Sequence, residues 1–319
     1  MQKQLLLVVL IMIYTLSLVP VVIAEDYPAK NLNIILPFKA GGGTDTSMRL
    51  LQKPLEERLG KRLNFIYKPG AGGVLGYMAI IKGTTDGYNI GAVNWPHVLV
   101  PTIVKDNPGY NLEGIEPVAT YNKDVAVMGV HKDSSWKNLK DLIDDAKKRP
   151  EMISVAHPVR LGYSLRAAYE FEEITGAKLK NVFFDGGAAS KQAFLGKHVD
   201  VWVINGSVMR KVKKEVRPLA VMGANRVSYF PDTPTFSELG YPIEVYTYRA
   251  IVTKSGTDLK KIEILSKAIQ DAVADKDFQK AMRKKGVEPF SLNAQELADF
   301  SKKSYGRIKD LYLKYEKKF

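Results

Sequence analysis

Cysteine is absent from all 319 residues. That excludes disulfides, thiolate metal sites and cysteine nucleophiles. Histidine is scarce: there are four, His97, His131, His157 and His198, and none sits in an HExxH or other dense metal-ligand spacing. The sequence has no GxSxG nucleophile elbow, since the Gly206–Ser207 pair lacks the rest of that motif. It has neither the GxxxxGK[ST] phosphate loop nor the GxGxxG dinucleotide fingerprint. There is no internal repeat, low-complexity tract or long linker. These absences leave no catalytic residue, metal or cofactor to assign, and they point away from an enzyme.

What is present begins with an export signature. Lys3 is the only charge in residues 1–24, residues 5–24 are uncharged, and Glu25 and Asp26 follow. A short basic start, an apolar run and small residues at Val22 and Ala24 read as a secretory leader cut after Ala24. The run is also about long enough to span a bilayer as an anchor, but its position and its Ala-terminated end favour the leader. With no cysteine for lipid attachment, a released periplasmic protein is expected. Net charge is +13 (47 basic minus 34 acidic residues), and removing Lys3 with the leader leaves 13 − 1 = +12. The basic residues are scattered along helices rather than massed in one block, as on solvated helix faces. No nucleic-acid partner is expected. A field that favours anionic solutes is the functional alternative to plain solvated faces.

Residues 33–38 (NIILPF) read as a buried strand, and residues 39–43 as a Gly-rich turn. Thr44 or Asp45 can cap a helix running to Gly60, with Met48, Leu51, Leu55 and Leu59 on one face. A strand at 63–67, a second Gly-rich turn at 69–76, a helix at 77–82 and a strand at 89–93 complete a strand–loop–helix alternation. That alternation indicates a parallel α/β sheet. After an extended segment at 118–130, a second α/β unit follows. Its helix opens at Ser134 or Ser135, its strands lie at 153–156, 181–184, 199–204 and 219–222, and its helices at 165–175 and 188–195. Residues 243–252 are extended again, and the rest is helical from Asp258, with Asn293 and Glu296 forming a capped start. Two α/β units joined by two extended segments form a hinged pair of lobes. The expected division is 25–123 plus 249–319 for the first lobe and 124–248 for the second.

Ligands of parallel α/β sheets bind beyond the carboxyl ends of the strands. Four Gly-bearing turns stand at such ends, each opening a helix, two per unit. The free N–H groups of a helix start attract carboxylate or phosphate. The first turn offers Gly41, Gly42, Gly43, Thr44 and Asp45, and the second offers Gly72. The third offers Arg160, Gly162, Tyr163 and Ser164, and the fourth Gly187 and Ala188. Any one alone is equally a plain strand-to-helix turn. Trp95 and His97 end a strand, where an aromatic can wall a planar solute and an imidazole can bond an acid. The plainer alternative is a Trp filling the lobe's own core. Asn205, also at a strand end, can present an amide. Arg160 and Arg249 are candidate counter-charges for a far carboxylate, against ordinary surface positions. His131 and His198 are expected on the surface. His157 is either a wall or donor of the cleft or an ordinary loop residue.

Four phrases then occur in order: Pro37-Phe38 with Gly41-Gly42-Gly43-Thr44-Asp45, Lys68-Pro69-Gly70-Ala71-Gly72-Gly73 with Asp86-Gly87-Tyr88, Gly186-Gly187-Ala188 with Gly196 and Asp200, and Phe230-Pro231-Asp232-Thr233-Pro234-Thr235 with Glu238-Leu239-Gly240. Together they resemble the TctC-like, or Bug, periplasmic receptors of tripartite tricarboxylate transporters, across essentially the whole chain after the leader. The resemblance implies a two-lobed periplasmic-binding-protein fold, type II-like, acting as a monomer. It implies capture of a small organic acid and delivery to membrane permease subunits, with one carboxylate held by loop backbone between the lobes. The chain departs from the family pattern at Val159-Arg160-Leu161-Gly162-Tyr163-Ser164, at Tyr248 and at Thr253-Lys254. Those departures bear on the ligand rather than the fold. A periplasmic sensor for a two-component system shares the same fold, and a secreted α/β hydrolase or isomerase is the reading from another class.

Overall fold

The computed structural model describes residues 27–315. The leader and its cut after Ala24 lie outside the described residues. The first unit opens with β1 (Leu32–Leu36), α1 (Gly43–Leu59), β2 (Leu63–Tyr67), α2 (Val74–Ile81) and β3 (Asn89–Trp95). β1 pairs in parallel with both β2 and β3. Its side chains alternate as a pleat requires: Leu32, Ile34 and Leu36 enter one apolar cluster with Met48, Leu51 and Leu55 of α1, and Ile35 enters the cluster on the opposite face. After the short α3 (Val100–Val104), β4 (Ile115–His131) runs for 17 residues.

β4 changes partners midway. Residues Ile115 to Val125 pair with β9 (Tyr246–Lys254), while Ala126 to Val130 pair with β7 (Val201–Asn205) on one side and Ala126 to His131 with β8 (Val216–Met222) on the other. The second unit adds α4 (Leu139–Lys148), β5 (Ser154–His157), α5 (Tyr163–Thr175), β6 (Lys180–Phe183), α6 (Gly187–Leu195) and α7 (Gly206–Met209). β5 is parallel to β6 and β7. The strand order is β2-β1-β3-β9-β4-β7-β5-β6, so one strand carries the sheet of the first unit into the second. The chain closes with α8 (Leu259–Val273), α9 (Lys276–Lys284), β10 (Glu288–Pro289) and α10 (Ala294–Lys314). No described helix is long and apolar enough to cross a membrane.

Several element starts differ from the sequence expectation, and three helices show why. α4 does not open at Ser134 or Ser135, because the Ser134 hydroxyl accepts from the Trp136 N–H (3.2 Å) inside a turn. Asn138 caps instead, in a reciprocal capping box with Asp141. α2 begins at Val74 rather than Tyr77, and α5 at Tyr163 rather than Leu165. The Asn293–Glu296 box is present at the start of α10.

α10 also joins the two units. Its Arg307 and Lys314 pair with Glu170 and Glu173 of α5 at 3.2 and 2.6 Å. The Tyr312 hydroxyl donates to the Gly162 carbonyl (2.9 Å), and the ring of Tyr315, just past the helix end, stacks on Tyr169 at 4.1 Å. Leu165 and Tyr169 of α5 therefore lie in the same apolar cluster as Val93, Val252 and Ile308.

Candidate ligand-binding cleft

The site begins where β1 ends. α1 starts at Gly43 with Gly42 as its N-cap and no side-chain cap. Thr44 and Asp45, expected as caps, lie inside the first turn instead. Asp45 folds back to accept from the Gly41 N–H (2.7 Å), where the chain takes a left-handed turn at φ 78°. The Tyr67 hydroxyl (2.6 Å) and Arg49 Nε (3.0 Å) reach its other oxygen. Burial alone would raise the Asp45 pKa, but the bonds from Tyr67, Gly41 and Arg49 outweigh it and hold it below its usual value. Asp45 thus braces the loop. Thr44 donates to Asn94 at the end of β3 (3.0 Å), tying the helix start to the sheet.

Across the sheet, Arg249 of β9 reaches the same helix start. A Cβ on Gly43 would lie 2.6 Å from its Nη2, so glycine is what lets the guanidinium pass. Arg249 is 2% exposed, which overturns a surface position. Its Nη1 donates to Asn122 (2.9 Å), and its Nη2 lies 3.4 Å from Asp124, both on β4 where that strand changes partners. Asp124 in turn accepts from the hydroxyl (2.5 Å) and N–H (3.3 Å) of Ser207 at the start of α7. Burial raises the Asp124 pKa, and Arg249 and Ser207 offset only part of that.

The second unit supplies the opposite wall. His97 packs against Tyr163 (ring centroids 5.5 Å) and Phe38 (6.1 Å), and a Cβ on Gly162 would lie 3.0 Å from His97 Nε2. The buried Tyr163 hydroxyl accepts from the Asn205 N–H (2.9 Å), and Thr247 donates to the Asn205 side chain (3.1 Å). Burial, with Arg249 nearby, lowers the His97 pKa to about 4, so the imidazole is neutral at pH 7. Ser164 is fully buried, and its hydroxyl has no partner in the protein.

The loops at the rim are open. A Cβ on Gly41, Gly72, Gly186 or Gly187 would meet nothing within 4 Å. Ala188 is exposed beside them. Lys39 and Asp185 approach to 3.5 Å, bringing the first and fourth turns face to face. Both side chains are solvated, so the pair marks proximity and adds little energy.

One candidate sits in the core and another stays exposed in the third turn. Trp95 is 3% exposed and belongs to the core cluster of Val93 and Tyr77. β3 runs through Trp95 rather than ending at Val93, so the strand's alternation turns the indole inward with Val93. Arg160 is exposed, with its guanidinium 5.2 Å from the Phe183 ring. His157 is fully buried, bonded to Asn181 (2.8 Å), and burial lowers its pKa to about 4. Asn122, Asp124 and Thr247 went unread in the sequence, and Ser207 stood out only as the remnant of a nucleophile motif. The available signal was the polar triplet Asn122-Lys123-Asp124, followed by the largely apolar run Val125 to Val130.

One contrast organises these parts. The four longer helices that start away from the Gly-rich turns, α4, α8, α9 and α10, each carry a side-chain cap, from Asn138, Asp258, Asp275 and Asn293. The helices that start at those turns, α1, α2, α5 and α6, have glycine at the N-cap and no side-chain bond. At α2 the Val74 and Gly73 N–H groups turn back onto the Ala71 and Gly70 carbonyls, so it is the starts of α1, α5 and α6 whose N–H groups and dipoles are left for another acceptor.

A sheet handed from one α/β unit to the other, with uncapped helix starts near the handover, is the two-lobed fold of the periplasmic-binding-protein type. The chain belongs to the tripartite tricarboxylate transporter family receptors, whose family model matches residues 47–315. It is 30% identical over 292 residues to the protein BugT of Bordetella pertussis, covering 90% of this chain and 89% of that one. An R. palustris structure with adipate superposes with a TM-score of 0.83 at 22% identity, over 90% of this chain and 97% of that one. MatC from Rhodopseudomonas palustris with bound malate gives 0.78 at 20% identity, over 89% and 99%. The family is one of solute-binding receptors, which is not an enzyme class.

Proposed function

We propose that this receptor captures a small organic carboxylate between its lobes and delivers it to a tripartite tricarboxylate-type membrane permease. The observation that carries the reading is the set of glycine-capped helix starts at the lobe junction, beside the buried and unpartnered Ser164 hydroxyl. Uncapped N-termini with a surplus of donors suit an acceptor-only anion. One carboxylate docks at Gly43 and Thr44 from the first lobe and at Ser164 from the second, with Gly187 and Ala188 at the rim. His97, Tyr163 and Asn205 shape the other end. The lobes comprise 25–123 plus 249–319 and 124–248, and they turn about the β4 and β9 crossings near Asp124 and Arg249. Closure buries the acid and presents a joined surface to the permease. The adipate and malate bound to the two structural neighbours are carboxylates of this kind.

A thermal-shift screen of carboxylates against their uncharged amides tests the reading. A ligand at ~100 times its dissociation constant adds about 2.7 kcal/mol of stability. A shift with an acid and none with its amide is expected. Equal shifts for both, or none for any acid with a sample shown empty by native mass spectrometry, would overturn carboxylate capture.

A further inference from the structure

The phrase from Phe230 to Gly240 takes no part in the cleft, yet it helps to build a second concavity. A pocket of about 790 Å³ opens on the second lobe, and none of the cleft residues described above lines it. Its walls come from both faces of the sheet. Leu139 and Leu219 belong to the apolar cluster on one face, and Phe230 to the cluster on the other. They meet at the edge of β8, which among the described residues pairs with β4 alone from Val216 to Ala220. Pro218 on that edge offers no N–H, which discourages an added strand, so an occupant is held by side chains. The floor is apolar, with Leu219 and Phe230 beneath and Leu239, 40% exposed, at the side. The rim is cationic. Lys137, Lys140 and Lys213 line it, against the single carboxylate of Asp232. Lys140 already pairs with Asp144. Lys137 donates only to the Ser134 carbonyl (3.1 Å), and Lys213 has no partner among the described residues. Arg210, Lys211 and Lys214 flank Lys213 in the chain, so the positive field continues past the rim. The start of α4 is closed by the Asn138 capping box, which leaves the lysines as the source of charge selection.

We infer that this pocket is a docking surface for an acidic peptide segment with an apolar anchor, and that the segment is a periplasmic loop of the permease. The anchor enters over Leu219 and Phe230, and its flanking carboxylates meet Lys137 and Lys213. An apolar centre inside a charged rim is the anatomy of a protein interface, with the rim charges steering the encounter. A flat lipid surface would touch the lysines without filling the pocket, and a small anion would leave the apolar floor uncovered. Because pocket and cleft share no residue, docking proceeds while an acid is held between the lobes. The inference rests on the delivery reading above and adds to it the place of contact.

The test is photo-cross-linking in intact cells of the native host, from p-benzoylphenylalanine placed at Leu239. Leu259, 71% exposed at the start of α8, is the control position. The joined peptide is sequenced by mass spectrometry. A permease subunit, joined through an acidic periplasmic segment, is expected from Leu239 and not from Leu259. Lys137→Glu with Lys213→Glu should cut that product at least about tenfold, because like charges would then face each other. Lys276→Glu with Lys280→Glu on α9 should leave it unchanged. All four lysines are exposed and none is in an ion pair, so both variants should fold as the wild type does. Both should also keep the wild-type response in the carboxylate thermal-shift screen, which reads capture separately from docking. No product at Leu239 above the Leu259 level, a product indifferent to the Lys137 and Lys213 reversal, or a joined segment without net negative charge would overturn the docking surface while leaving carboxylate capture standing. Cross-links to lipid or to a second copy of this chain would overturn it as well. An acidic segment from a membrane kinase would overturn the permease as occupant, and delivery with it.

Discussion

Replacing Asp45 by Asn keeps the shape of the side chain and removes its charge, which isolates the brace of the first cleft loop. In the native chain one oxygen accepts from Gly41 at 2.7 Å and the other from Tyr67 at 2.6 Å and Arg49 at 3.0 Å. Asn retains one acceptor and turns an NH2 toward a donor. One charge-assisted bond is lost, about 1.5–3 kcal/mol. The Arg49 pair is solvated on the Arg side and adds no more than about 0.5 kcal/mol. The expected loss is about 2–3 kcal/mol, read as a lower urea midpoint with an unchanged slope. The pH dependence carries a sign that can be checked. The folded Asp45 pKa is lowered relative to the unfolded chain, so its contribution is fully present above the unfolded value of about 3.9. It is lost only as pH falls through the lower, folded value. The gap between wild type and variant should therefore stay level from pH 7 to about pH 5 and close only below about 4. A gap under about 0.5 kcal/mol at pH 7, or one that narrows between pH 7 and 5, would refute the brace. Carboxylate affinity should fall with it, because the Gly41 turn would no longer be held.

His97 and His157 behave oppositely in range. Both are buried with folded pKa values lowered to about 4, so the unfolded chain binds their protons first as pH falls below about 6.5. Stability should fall by about 1.4 kcal/mol per pH unit for each histidine between about pH 6 and 4.5, and His157→Gln should cut the slope of a urea series by about half of that sum. Ser164→Val fills the space of a buried hydroxyl that lacks a protein partner, so it should weaken carboxylate binding at least about tenfold with little loss of melting temperature; unchanged affinity in calorimetry would remove Ser164 from the grip. Gly76→Ala places a Cβ 2.6 Å from the Pro37 Cα, a backbone atom that cannot swing aside, and should cost about 1–3 kcal/mol in urea unfolding.

How much of this was legible depends on range along the chain. The strand–Gly turn–helix alternation is local, and the starts of α1, α5 and α6 do fall at the Gly-bearing turns. The Asn293 box is local too, and it is present. Trp95 was misdirected by two residues of strand: ending β3 at Val93 left the indole in a loop, whereas a strand through Trp95 commits it to the Val93 face. The Arg249–Asp124 contact joins positions 125 residues apart. No periodicity encodes such a pairing. Each residue alone reads as an ordinary charge, and only the antiparallel register of β4 on β9 brings them together.

The position of β9 has a consequence for how the protein is made. β9 fills the place between β3 and β4, so the first lobe's sheet stays split until residues 246–254 arrive. A nascent chain that has emerged only through β8 exposes two open strand edges and cannot close its first lobe. Completion waits on the last quarter of the polypeptide. Closing the first lobe is therefore the last step in building the protein, although that lobe holds the first strands to be made.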